Sequence, residues 1–290
     1  LAQDEVLPLL SELVDKSMVA RESESGRFRL LDTLRDYARR KLQASGEESA
    51  LLDRHLDWVL AFLEERRDGM TGPEQARLAK EIDLEQAHLA AAHAWACRIG
   101  HCGVKALMLV HRLYRYLNFR GLMRLGYLQA AQAVELTDIK APGEERGFAL
   151  FALGSYALAL GKATEAQEVL HIARQEAKDA GLESDVARTL QPLAHAAMEL
   201  GQLAQAADYL AESVAIEQRM GRAFEAMAAL SLLGQLQRTK QQLDEAWSTF
   251  HEALDIASRL GDVQSAGILK VNLAMVAVDQ GRGEQGRQYL

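Results

Sequence analysis

A period of forty residues organises this chain and limits what it can fold into. Gly121, Gly161, Gly201 and Gly281 fall one or two periods apart, and Gln241 fills the remaining slot. Five residues beyond the glycines stand Ala166, Ala206 and Ala246, followed by Leu170, Leu210, Phe250 and Leu290 and then by Ala173, Ser213 and Ala253. Upstream of each turn lie Leu153, Leu193, Leu233 and Leu273, each followed by a small residue: Gly154, Ala194, Gly234 and Ala274. A second set of glycines, Gly181, Gly221 and Gly261, closes each unit. Self-similarity at a fixed period of this size marks stacked supersecondary units, each too small to bury its own apolar face. A glycine suits the left-handed residue that stops a helix, so each unit reads as helix A, a turn, helix B and a second turn. An unrelated bundle with chance glycines does not account for four aligned columns.

Composition supports helix throughout. The 290 residues include only four prolines and 6% aromatics, with long Ala- and Leu-rich stretches. Ala and Leu lose little side-chain freedom in a helix. Hydrophobic residues at 49% and charged residues at 26% are a globular balance, and the formal net charge of -8 gives the whole chain no general attraction for nucleic-acid phosphates. Pro192 falls inside the helix A expected for the second full unit, where it removes a backbone donor and predicts a local bend.

Leu153 with Gly154, Ala166 and Ala173 resembles the tetratricopeptide motif, whose small residues sit where helices A and B cross. The usual unit there is about 34 residues, so this is a longer variant. The resemblance implies a mainly α, right-handed tetratricopeptide-type solenoid over residues 105–290. Its units are 105–144, 145–184, 185–224, 225–264 and a truncated 265–290, with Leu113, Gly121, Gly126, Ala130 and Ala133 keeping the register in the first. Residues 51–104 read as a helical linker and a degenerate capping repeat, with helices from Glu74 to Trp95. The start at Leu1 and the halt at Leu290 within a half-repeat read as a piece of a longer protein.

The first fifty residues carry different information. Asp4 to Val14 shows apolar residues at helical spacing, and Met18–Glu22 and Arg27–Leu30 read as two short strands around Ser23-Glu24-Ser25-Gly26. A helix follows from Asp32 or Thr33, with Leu34, Tyr37, Ala38 and Leu42 on one face, and ends near Gly46. Helix, hairpin and helix form the tail of a winged helix, so 1–50 is assigned as its C-terminal part. Leu13-Val14-Asp15-Lys16-Ser17-Met18-Val19, then Arg27-Phe28-Arg29-Leu30-Leu31-Asp32-Thr33-Leu34-Arg35-Asp36-Tyr37-Ala38, is similar to bacterial signal-transduction ATPases with numerous domains, the STAND class. Arg54-His55-Leu56-Asp57-Trp58 and Gly72-Pro73-Glu74-Gln75 extend the match. Regulators of maltose genes share that design, in which a nucleotide-binding domain precedes a winged helix and sensing repeats. One departure stands out: related ATPases often carry Met-His-Asp where this chain has Leu30-Leu31-Asp32, and Leu31 has no hydrogen bond to offer a phosphate.

No phosphate loop, Gly-x-Ser-x-Gly, His-Glu-x-x-His or Cys-x-x-Cys occurs, so the expectation is no enzyme and no cofactor, any ATPase site lying in an N-terminal domain outside these residues. His93, Cys97 and His101, with Cys102 adjacent, have ligand chemistry suited to zinc, but the spacing is non-standard and Gly100 ends the helix, so no metal site is assigned. Two cysteines are too few for a disulfide framework and suggest the cytoplasm; with no apolar run of about 18 residues, no membrane partner is expected. Arg112, Arg115, Arg120 and Arg124 interleave with Tyr114, Tyr116, Phe119 and Tyr127, a composition that grips nucleic acids, although Tyr114 and Leu117 fall on core columns.

In tetratricopeptide arrays the concave groove is lined by helix A at i, i+3, i+7 and i+10. The register places His111, Arg115 and Asn118 there, then Arg188, Gln191 and His195, then Gln235 and Arg238. Phe151, Ser155 and Leu158, and Val271, Met275 and Val278, are mostly apolar equivalents. That mixture suits a peptide or protein, or an anionic small effector. The resemblance implies a non-catalytic sensor and interaction segment that also contacts the nucleotide-binding domain of its own chain. The alternative is a DNA-binding transcription-factor segment acting through the winged helix; nucleic acid is not favoured.

Overall fold

The computed structural model describes residues 3–22, 26–98, 103–136 and 143–289. Two compact units divide the chain, Leu1–Val59 and Leu60–Leu290. The first contains α1 (Gln3–Asp15), an antiparallel hairpin of β1 (Val19–Arg21) and β2 (Phe28–Leu30), and α2 (Asp32–Ser45). Val19 pairs with Leu30 and Arg21 with Phe28. Ser23, Glu24 and Ser25, the expected hairpin tip, lie outside the described residues. Gly46, at φ 75°, stops α2, which contains no buried residue. Helix α3 (Glu48–Arg67) then runs across the boundary between the units.

The second unit is a mainly α repeat fold. After α4 (Gln75–Asp83) and α5 (Gln86–Ala96), helices alternate as A and B partners. The A helices are α6 (Gly103–Phe119), α8 (Glu144–Ala159), α10 (Glu183–Glu199), α12 (Ala223–Thr239) and α14 (Val263–Asp279). The B helices are α7 (Met123–Glu135), α9 (Ala163–Asp179), α11 (Leu203–Arg219), α13 (Leu243–Leu260) and the short α15 (Gly283–Arg287). Helix α10 continues through Pro192 to Glu199.

The periodic glycines end helices by one mechanism. At Gly161, φ is 74°, its N–H donates to Leu158 O at 2.9 Å, and the next N–H, from Lys162, donates to Ala157 O at 2.9 Å. This paired closure satisfies carbonyls that the finished helix leaves without partners. Gly121, Gly201 and Gly281 repeat it, and Gln241 adopts the same left-handed conformation at φ 61°.

Small residues set the crossings. Ala166, Ala206 and Ala246 are fully buried, and Leu170, Leu210 and Phe250 behind them are equally closed to solvent. Gly154 faces Leu170 and Gly234 faces Phe250, where a β-carbon would collide. Consecutive A helices also meet directly, α6 with α8, α8 with α10 and α12 with α14, forming a layer beside the B helices. Among the described residues, no helix is long and apolar enough to cross a membrane.

Candidate functional site

Five A helices each present four positions, at i, i+3, i+7 and i+10, along one face. They start at Met108, Phe148, Arg188, Ala228 and Ile268. None of these twenty positions is acidic, although 41 of the 290 residues are Asp or Glu. Arg115, Arg188 and Arg238, with His111 and His195, are the basic members. The four columns are therefore basic on a chain whose net charge is negative.

Its aromatic floor lies where α6, α8 and α10 meet. The His111 ring stacks on Phe148 at 3.8 Å, Tyr114 meets Phe148 edge-on at 5.4 Å, and Phe151 packs against both at 5.4 and 5.5 Å. Arg188 lays its guanidinium over Phe148 at 5.2 Å and Phe151 at 5.9 Å, attracted to the negative ring faces. The same arginine pairs with Asp185 Oδ1 at 2.7 Å. His111 Nδ1 lies 2.9 Å from Glu145 Oε2, and this hydrogen bond holds the Glu145 carboxyl below its ordinary range. Burial pushes the Tyr114 hydroxyl up.

The residues expected in the groove divide by how they are engaged. His111 and Arg188 belong to the aromatic floor, and Asn118 donates to Tyr114 O at 2.7 Å within its own helix. Arg238 pairs with Asp279 of α14 at 2.5 Å. Arg115 is exposed; its guanidinium reaches Thr71 Oγ1 at 3.3 Å and Arg67 O at 3.5 Å, neither of them anionic. His195 and Gln235 are exposed and Gln191 half-buried, and their side chains have no hydrogen bond among the described residues. Sequence reasoning missed Glu145, Asp185 and Asp279, because their partners sit on a neighbouring turn or helix.

Further along, α12 and α14 enclose a second feature. Phe224, Ala228 and Ser231 of α12 face Ser265, Ile268 and Leu269 of α14 around an open cavity of about 310 Å³. Beyond it on α14, Val271, Met275 and Val278 are all exposed. Sequence reasoning placed the last three residues in the face but did not find the cavity.

The other candidates separate. Arg112 pairs with Glu64 at 2.6 Å and Arg120 with Asp83, so these cations of the Arg-Tyr stretch serve packing between helices. His93 and Cys97 are buried, with Nε2 and Sγ 3.5 Å apart; burial lowers the His93 pKa and pushes the Cys97 thiol up to about 11, leaving it protonated. His101 and Cys102 lie outside the described residues. Among the described residues, no group of three or more His, Cys, Asp or Glu is placed to hold a metal ion.

No family model matches this chain. Proteins of Mycobacterium bovis and Mycobacterium tuberculosis, provisionally named HTH-type transcriptional regulators, are 38% identical over 110 residues. That match covers 37% of this chain and only 12% of the length of those relatives. In structure, the chain is similar to a signal-transduction ATPase with numerous domains carrying a tetratricopeptide repeat sensor, from Pyrococcus horikoshii. That likeness has a TM-score of 0.58 at 14% identity and covers 97% of this chain and 44% of the other. It is also similar to the apo form of the quorum sensor NprR from B. thuringiensis, with a TM-score of 0.60 at 13% identity over 99% of this chain and 72% of the other. At these identities the likeness is one of fold, and the fold is a tetratricopeptide-like helical solenoid.

Proposed function

We propose that this chain is a non-catalytic sensor and protein-interaction segment of a larger bacterial signal-transduction ATPase or transcriptional regulator, binding a peptide or protein along its A-helix face. In this reading residues 1–50 are the C-terminal part of a winged helix, 51–104 a linker and cap, and 105–290 the sensing repeats. The winged helix relays the bound state to a nucleotide-binding domain of the same cytoplasmic protein. The supporting observation is the acid-free face, in which Arg115, Gln191, His195 and Gln235 offer polar atoms uncommitted to any carboxylate beside the floor of Tyr114, Phe148 and Phe151. Solenoids bind through many shallow contacts of this kind. The likeness to a tetratricopeptide sensor and to a quorum sensor, and the partial match to named regulators, agree with it.

The test is selection of dodecapeptides from a random displayed library on the full chain. Arg115→Glu with His195→Glu should weaken the selected peptides at least tenfold, with the thermal midpoint unchanged. Peptides that bind both proteins equally would remove this face from the mechanism.

A second reading, duplex DNA held by the first unit, is favoured by one observation. Helix α2 carries Arg35, Arg39, Arg40 and Lys41 and buries none of its residues. It predicts a mobility shift of duplex DNA that is lost steeply as salt rises. No shift at low salt would end it.

A further inference from the structure

The cavity between α12 and α14 has a filled counterpart eighty residues earlier. Helices α8 and α10 occupy the same places in the repeat register, and their junction is filled by Phe148, Phe151 and Arg188, the guanidinium lying over both rings. Eighty residues on, the corresponding positions are Ala228, Ser231 and Ile268. Two phenyl rings have become a methyl and a hydroxymethyl group, and the ion pair Arg188–Asp185 has become Ile268 beside Ser265. Ala228, Ser231 and Ile268 line the cavity of about 310 Å³. A dry void of about 150 Å³ already takes a benzene ring.

The cavity lies between α12 and α14, and three of its lining residues, Ala228, Ser231 and Ile268, belong to the four columns. Its lining holds no charged side chain, so a charged occupant would lose its hydration without a partner. The four columns carry arginine and histidine and no acid; Arg188 and Arg238 are each paired with one aspartate, while Arg115 and His195 have no carboxylate partner among the described residues, so these two complement a negatively charged chain. We propose that this pocket receives an aromatic side chain of an acidic peptide lying along the A-helix face. The ring takes the place that Phe148 and Phe151 take two junctions earlier, and acidic residues of the peptide face Arg115 and His195. This rests on the peptide-binding reading above and adds the anchor and charge of the ligand.

The experiment compares the full chain with Ala228→Phe, which restores the residue α8 carries in that column. Displayed dodecapeptides selected on the unaltered protein should be enriched in Phe, Tyr or Trp together with Asp or Glu, and Ala228→Phe should weaken them at least tenfold. Ile268→Arg, the residue of the filled junction, is the second variant should the first lower stability. Peptides that tolerate both substitutions but fail on Arg115→Glu with His195→Glu would overturn the pocket and leave the face standing. Should no peptide be selected, the face reading falls, and the pocket is judged by N-acetyl-L-phenylalaninamide. Saturable shifts of the Met227 and Ile268 methyl resonances, lost in Ala228→Phe, would uphold it as an aromatic site; unmoved resonances would overturn it.

Discussion

Leu170 rests its branched end on the backbone of Gly154, so that a β-carbon built at Gly154 falls 2.5 Å from Leu170 Cγ. This contact sets how closely α8 approaches α9. Replacing a helical glycine by alanine normally gains about 1 kcal/mol, whereas overpacking a closed core costs about 1–3 kcal/mol. Leu170 is fully buried in one cluster with Ala157, Ala166 and Leu190, which leaves it little room to yield. Gly154→Ala should therefore destabilise by roughly 1 kcal/mol net. Urea unfolding measures it, and adding Leu170→Ala should make the two losses less than additive. Full additivity would mean that the side chains do not meet.

The helix stop at Gln241 offers the opposite test. It holds φ 61° in a slot where Gly121, Gly161, Gly201 and Gly281 hold 68° to 74°. A left-handed residue with a β-carbon costs about 1–2 kcal/mol, which glycine escapes. Gln241→Gly should raise stability by roughly 1 kcal/mol, and Gly161→Gln should lower it by a similar amount. Equal urea midpoints for Gln241→Gly and the unaltered chain would refute the strain.

Much of this was legible in the residue pattern, for a physical reason. The columns that stop helices and the small residues at helix crossings are set by local backbone and steric demands, so they recur at a fixed spacing. The strands expected at Met18–Glu22 and Arg27–Leu30 appear as Val19–Arg21 and Phe28–Leu30. What one helix does to the next was less legible. A basic A-helix face was readable, but Asp279, which engages Arg238, lies 41 residues away and outside the four columns. The cavity of α12 and α14 was hidden likewise: Ala228 and Ser231 look innocuous until Phe148 and Phe151 are seen against Arg188. The arrangement of the candidate site depends on that pairing across helices, which one-dimensional spacing does not carry.

Arg146 tests a buried charge within a repeat. It is 5% exposed, its Nε lies 3.2 Å from Glu176 Oε1, and Nη1 donates to Val134 O at 3.2 Å. Removing one partner of such a pair leaves the other charge desolvated, at a cost of about 3–5 kcal/mol, whereas replacing both by apolar groups can be neutral. Arg146→Ala should fall in that range, and Arg146→Met with Glu176→Leu should recover most of the loss. Calorimetric or urea unfolding of the three variants decides it. A double variant as unstable as the single one would show that the arginine acts through partners other than Glu176, Val134 O among them.

Glu217 should make the stability of the solenoid depend on pH. It is 4% exposed on α11, in a column where the flanking repeats have Ala177 and Ala257, and its Oε2 lies 2.6 Å from Arg222 Nε. Burial raises its pKa above the ordinary 4.5, and the neighbouring Arg222 offsets only part of that. A carboxyl whose pKa is higher folded than unfolded keeps its proton longer in the native state, so stability falls as pH rises between the two values. Well below 4.5 both states are protonated and this cost is absent. Glu217→Gln keeps the shape and a hydrogen-bond acceptor for Arg222 but cannot ionise. The stability of the unaltered chain relative to Glu217→Gln should therefore decline from pH 4 to pH 7, read by urea unfolding at each pH. A difference that stays constant, or grows in favour of glutamate, would mean that Arg222 compensates the buried charge in full.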